Sequence, residues 1–124
     1  MNVVDSSGWL EYLANGNNGY IYAPIIQDTK KLIIPTICIY EVFKRILTQR
    51  SEEVALQAIG IMSLGTIADL TREIALESAQ LSIEFKLAMA DSMILATARA
   101  NQATLWTQDA DFKDIAGVEY FPKV

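Results

Sequence analysis

The sequence contains no histidine. That absence excludes imidazole acid–base catalysis, a Ser-His-Asp triad and any zinc site built on imidazole. Cysteine is nearly absent as well, with Cys38 alone, so neither an intrachain disulfide nor a thiolate zinc site can form. This usage suits a cytoplasmic setting. Carboxylates, hydroxyls and lysines remain for chemistry. Carboxylates are hard oxygen ligands, so a metal bound here is expected to be Mg²⁺ or Mn²⁺. No apolar run approaches the length needed to span a bilayer, and no membrane association is expected. Met1-Asn2-Val3-Val4-Asp5 reads as the first strand of a fold, since it lacks the basic segment and apolar core of a signal peptide.

Basic residues are also few. Ten Lys and Arg face fifteen Asp and Glu, for a net charge of −5. Taken alone, that balance argues against nucleic acid as a partner, because phosphate contacts need cations. A local patch is still open to Lys30, Lys31, Lys44, Arg45 and Arg50, which equally describe an ordinary solvated surface.

What is present is a compact apolar chain. At 124 residues and 52% hydrophobic, residues 1–124 are expected to form one domain with its own core. Short apolar runs alternate with helical segments, which points to an α/β fold with a parallel sheet covered on both faces. Strands are expected at Val3-Val4, Leu32–Ile34, Thr66–Leu70, Ala103–Trp106 and Val118–Tyr120. Ser6 or Ser7 can cap a helix through about Ala14, ended by Asn15–Gly19. A short helix over Tyr20–Gln27 is expected to carry Pro24 in its first turn. Thr36 can cap a helix to Gln49, Ser51 one to about Gly65 and Thr71 the next, before a helix over Asp91–Asn101.

In an open α/β sheet, sites form beyond the C-terminal ends of the strands. Asp5 ends the first strand and Asp109 follows the fourth. Glu41 lies one to two turns into the helix after the second strand, and Asp91 opens the helix before the fourth. Asp5 could instead cap the first helix, and Asp109 or Asp111 a short helix containing Phe112 and Ile115. Glu41 falls opposite the apolar stripe Ile39, Val42, Phe43 and Ile46, beside Lys44 and Arg45, so periodicity places it on a solvated face. Asp91 shares its stripe with Ile94, Leu95 and Ala98. A carboxylate so placed is partly buried and needs either the helix N-terminus or a cation to offset its charge.

Four motifs carry a resemblance: Val3-Val4-Asp5-Ser6-Ser7-Gly8-Trp9-Leu10, Ile39-Tyr40-Glu41-Val42-Phe43, Leu87-Ala88-Met89-Ala90-Asp91-Ser92-Met93-Ile94 and Leu105-Trp106-Thr107-Gln108-Asp109-Ala110-Asp111-Phe112. In this order and spacing the chain resembles the PIN-domain nucleases, and among them the VapC-type toxins of toxin–antitoxin pairs. The resemblance implies a three-layer α/β/α fold with a five-stranded parallel sheet. It also implies a Mg²⁺- or Mn²⁺-dependent endoribonuclease acting on RNA through a metal-activated water, leaving a 5′-phosphate and a 3′-hydroxyl. Asp5, Glu41, Asp91 and Asp109 match the family's acidic positions. Asp5, Asp91 and Asp109 would hold the ion, Glu41 would add a ligand or hold a water, and Ser7 and Thr107 would orient the acids. Asp111 matches an acid that often precedes Phe in the last motif. Homodimers and a small blocking antitoxin are the implied partners, with the apolar helices over 36–49 and 51–64 as a docking surface unless they are core. Two departures stand out: Ser6-Ser7 replaces the Thr-Ser of many relatives, and basic residues are few.

Rival readings fit less well. A phosphoacceptor receiver domain needs an Asp at the end of strand three and a Lys near the end of strand five, and Asp69 and Lys123 match these poorly. An aspartate-nucleophile phosphatase wants an acid two residues after the first, where Ser7 stands. A catalytically silent PIN-like module that binds only a metal or a partner is the remaining alternative, and a nuclease assay separates it.

Overall fold

The computed structural model describes residues 1–124. Five strands alternate with six helices: β1 (Asn2–Val4), α1 (Ser6–Leu13), α2 (Gly19–Gln27), β2 (Leu32–Pro35), α3 (Thr36–Gln49), α4 (Glu52–Met62), β3 (Thr66–Ala68), α5 (Arg72–Phe85), α6 (Met89–Ala100), β4 (Thr104–Thr107) and β5 (Val118–Tyr120). Short 3₁₀ turns at Thr29–Lys31 and Ala110–Phe112 complete the chain. All strand pairs are parallel, in the order β3-β2-β1-β4-β5. The three-layer α/β/α architecture with a five-stranded sheet is therefore the one expected from the sequence.

Val3 and Val4 on the central strand are fully buried, as are Ile34 and Leu105 beside them. Consecutive buried residues are what a parallel strand covered on both faces requires. Trp9 from α1, Tyr22 from α2 and Phe112 from the second 3₁₀ turn are the largest side chains closing the core.

Several boundaries differ from expectation for identifiable reasons. Ser51 and Thr71 do cap their helices, accepting from the amides of Val54 and Ile74 at 3.2 Å. Ser6, Ser7 and Thr36 do not; they lie inside their helices, after Asp5 and Pro35 at the capping positions. α2 begins at Gly19, so Pro24 sits in its second turn and withholds a donor from the carbonyl of Tyr20. That loss falls on the first turn of a nine-residue helix, where Tyr20 is 76% exposed. α4 stops at Met62, short of Gly65, and β3 stops at Ala68, short of Leu70.

The seat of α1 on β1 is tight. A Cβ on Gly8 would lie 2.7 Å from Val4 Cγ1 and 2.8 Å from Tyr22 Cε1. Gly8→Ala is therefore expected to cost roughly 1–3 kcal/mol through overpacking, measured by urea denaturation. An unchanged midpoint would mean that α1 is not held this closely against the strand that carries Asp5.

Candidate active site

β1 leads the chain to one side of the sheet, through β2 and β3, and β4 returns to the other side of β1. The switch point of the topology thus lies between β1 and β4, where adjacent loops diverge and leave a crevice. Asp5 leaves β1 at this edge, and Gln108 and Asp109 follow Thr107 at the end of β4. Asp91, the third residue of α6, and Glu41, in the second turn of α3, close on the same crevice. All four acids line one open cleft of ≈ 880 Å³.

Asp5 is 3% exposed and occupies the capping position of α1, yet its carboxylate caps nothing. Ser7 Oγ and Thr107 Oγ1 instead both donate to its Oδ2 at 2.8 Å. The Thr107 hydroxyl also accepts from the amide of Asp109 at 2.9 Å. One buried hydroxyl thereby fixes the spacing between the acid after β1 and the acid after β4. Burial raises the Asp5 pKa, the Ser7 and Thr107 bonds pull it back, and the Asp109 charge raises it again.

Asp91 is half-buried, in keeping with its place on an apolar stripe. Its pKa rises to about 7, first through desolvation and then through the charges of Asp5, Asp109, Glu41 and Asp111. Crowding of like charges is therefore real here, but it ranks behind burial. Oxygens of Asp91, Asp109 and Asp111 lie within 4.8 Å of one another. Asp5 stands outside this tight trio, although its charge is the largest of those acting on Asp91. Asp109 also accepts from the amide of Asp111 at 2.9 Å, so it caps the 3₁₀ turn while facing the cleft.

Glu41 departs from the helical-phase expectation. The buried seam of α3 is Cys38, Val42 and Ile46, rotated away from the Ile39–Phe43 stripe. Glu41 borders that seam and is partly buried, where Ser6 Oγ donates to its Oε1 at 2.7 Å. The sequence assigned no such role to Ser6. Its one signal was a small hydroxyl beside Asp5, and its partner lies 35 residues away.

The acids are not neutralised by the protein. The one ion pair of the chain joins Arg72 to Glu73, on the exposed start of α5. Lys44, Arg45, Arg50 and Lys123 line the cleft without pairing with its carboxylates. Lys30 and Lys31 lie elsewhere, in the turn that precedes β2 at the opposite edge of the sheet. A cluster of hard oxygen donors with no ion-pair partner in the protein fits a divalent cation of the Mg²⁺ or Mn²⁺ kind.

The family model of the PIN domain matches residues 3–118. The chain belongs to the PIN-domain family. Among solved structures, this PIN domain is similar to a chain of a toxin–antitoxin complex from Klebsiella pneumoniae. That likeness has a TM-score of 0.82 and 25% identity over 100% of both chains. VapBC2 from Rickettsia felis, bound to a DNA fragment from its promoter, superposes with a TM-score of 0.76. It is 18% identical, over 96% of this chain and 97% of the other. VapC20 from Mycobacterium tuberculosis, described as a toxin cleaving the sarcin-ricin loop, gives 0.73 at 15% identity, over 90% and 92%. The last two likenesses speak for the fold. No curated protein matches the sequence. No helix of this PIN domain is long and apolar enough to cross a membrane.

Proposed function

We propose that this PIN domain is a Mg²⁺- or Mn²⁺-dependent endoribonuclease and the toxin of a toxin–antitoxin pair in the cytoplasm. The observation that carries the reading is the convergence of Asp5, Glu41, Asp91 and Asp109 on one cleft at the topological switch point of a PIN fold. The names of the similar structures support it, since the Klebsiella chain comes from a toxin–antitoxin complex and the Mycobacterium chain is described as a toxin. Asp91 and Asp109, with Asp111 beside them and Asp5 behind, are the residues that would hold the ion. When bound, such an ion supplies a lowered pKa to a water and offsets charge developing on a phosphodiester.

The remaining roles belong to the chain. Ser7 and Thr107 hold Asp5 in one rotamer, and Ser6 fixes Glu41 where it can accept a proton from an attacking water. With no histidine, the usual base for a route through the RNA 2′-hydroxyl is missing. Lys44 and Arg45 on α3, and Arg50 just past its end, line the cleft with cations that can meet a phosphate backbone. Tyr40, Leu47, Leu56 and Ile61 on α3 and α4, with Leu64 just after them, are exposed, and support docking of a small antitoxin or of a second copy in a homodimer.

Incubation of the purified protein with single-stranded RNA in Mn²⁺ or Mg²⁺ tests the reading. Fragments carrying a 5′-phosphate and a 3′-hydroxyl are expected, and chelator is expected to stop their formation. Cleavage that persists under full chelation, or fragments ending in a 2′,3′-cyclic phosphate, would overturn it.

A further inference from the structure

Beyond β5 the chain is pinned at three points. The amide of Phe121 donates to the Thr107 carbonyl at 3.0 Å, and the Phe121 ring stacks on Trp106 at 6.0 Å. Asn18 Nδ2 donates at 3.0 Å to the Pro122 carbonyl and, also at 3.0 Å, to Gln108 Oε1. Asn17 Nδ2 reaches the Val124 carbonyl at 3.5 Å. Lys123 is the residue between these last two staples, and it lines the acidic cleft.

Asn18 is 2% exposed, and its own amide is held by Glu11 Oε2 at 3.0 Å. Both of its side-chain protons are committed to the tail and to the residue before Asp109. A buried amide so fully engaged sets geometry, because each bond constrains both partners. Lys123 forms no ion pair with the cleft acids, so its charge stands off from them. A phosphodiester chain occupying the cleft would meet that free ammonium.

We infer that Lys123 contacts a backbone phosphate of RNA lying in the cleft, and that Asn18 is the positioning residue that holds it there. The inference rests on the ribonuclease reading above and extends it to the strand that flanks the scissile bond.

The test is steady-state cleavage of a single-stranded RNA across salt concentrations, with melting temperatures measured in parallel. Lys123→Gln is expected to raise KM about tenfold, with the effect falling on KM rather than kcat. It should also make the salt dependence of log kcat/KM shallower by about one unit of slope. Asn18→Ala should give the same loss of slope, and the double variant no further loss. Gln108→Leu keeps the Asn18 bond to Pro122, and should give a smaller change of the same sign should Asn18→Ala prove unfolded. Wild-type KM and slope in Lys123→Gln would overturn the inference while leaving the nuclease reading intact. Additive effects of Asn18→Ala and Lys123→Gln would overturn the positioning role. A wild-type protein that cleaves no RNA in Mn²⁺ would defeat the nuclease reading and this inference with it.

Discussion

Asp5→Asn is expected to lower RNA cleavage on the order of 10³-fold and, in chelator, to raise the melting temperature. The two effects have one origin. An asparagine oxygen can still accept from Ser7 and Thr107, so the hydroxyl clamp that holds Asp5 Oδ2 survives the substitution. What disappears is a carboxylate 3% exposed to solvent, whose burial disfavours its charge. Removing it relieves that penalty and also lifts the largest charge acting on Asp91. The proposed reaction would lose one of the carboxylates expected to hold the ion; the fold loses a source of repulsion. Such opposition of stability and activity is common where a site is built from strained electrostatics. Thermal melts with chelator and single-turnover cleavage with Mn²⁺ check both halves. A variant that cleaves like the wild type removes Asp5 from the proposed site.

Stability without metal is expected to fall between about pH 4 and pH 7, and added Mn²⁺ is expected to reverse the trend. The sign follows from Asp91, whose pKa rises from 3.8 to about 7 on folding. Across that interval the folded chain holds a proton that the unfolded chain has released. Its stabilising contribution is complete below pH 3.8 and gone above about 7. Asp5 is shifted in the same direction. A cation competes with those protons, so Mn²⁺ affinity should climb with pH, up to about tenfold per unit, and level off above the Asp91 pKa. Melting curves at pH 5.5 and 8, with Mn²⁺ and with chelator, show the crossing. A metal-induced shift of equal size at both values would sink the idea that Asp91 faces the ion.

The architecture and most of the site's acids were legible in the sequence because they depend on local pattern. Val3-Val4, Leu32–Ile34 and Leu105 are short apolar runs of the kind that a doubly covered strand needs, and Asp5 and Asp109 follow strand ends. Asp91 was legible from helix phase, because its stripe is uniformly apolar. Glu41 was not. Its helix is apolar over a wide arc, and Ile39 and Phe43 drew the apparent centre away from the true Cys38–Val42–Ile46 seam. Its place rested on the resemblance. The contacts that fix the site were wholly illegible. Ser6 meets Glu41 across 35 residues and Ser7 shares Asp5 with Thr107 across about a hundred, and no local period encodes such pairs. Asn18 illustrates the same limit: in a run of Asn and Gly it reads as a helix stop, yet folded it is a buried clasp.

The Thr107 hydroxyl that joins the two strand ends also ties the candidate site to one long-range pairing of the fold. Asp5 and its hydroxyl partner Thr107 stand 102 positions apart in the chain. The β1–β4 pairing that joins them is of high contact order, and such pairings close slowly. A chain in which β4 has not paired with β1 carries Asp5 and Glu41 without the Thr107 clamp. The proposed nuclease is therefore expected to cleave no RNA until that one pairing has closed.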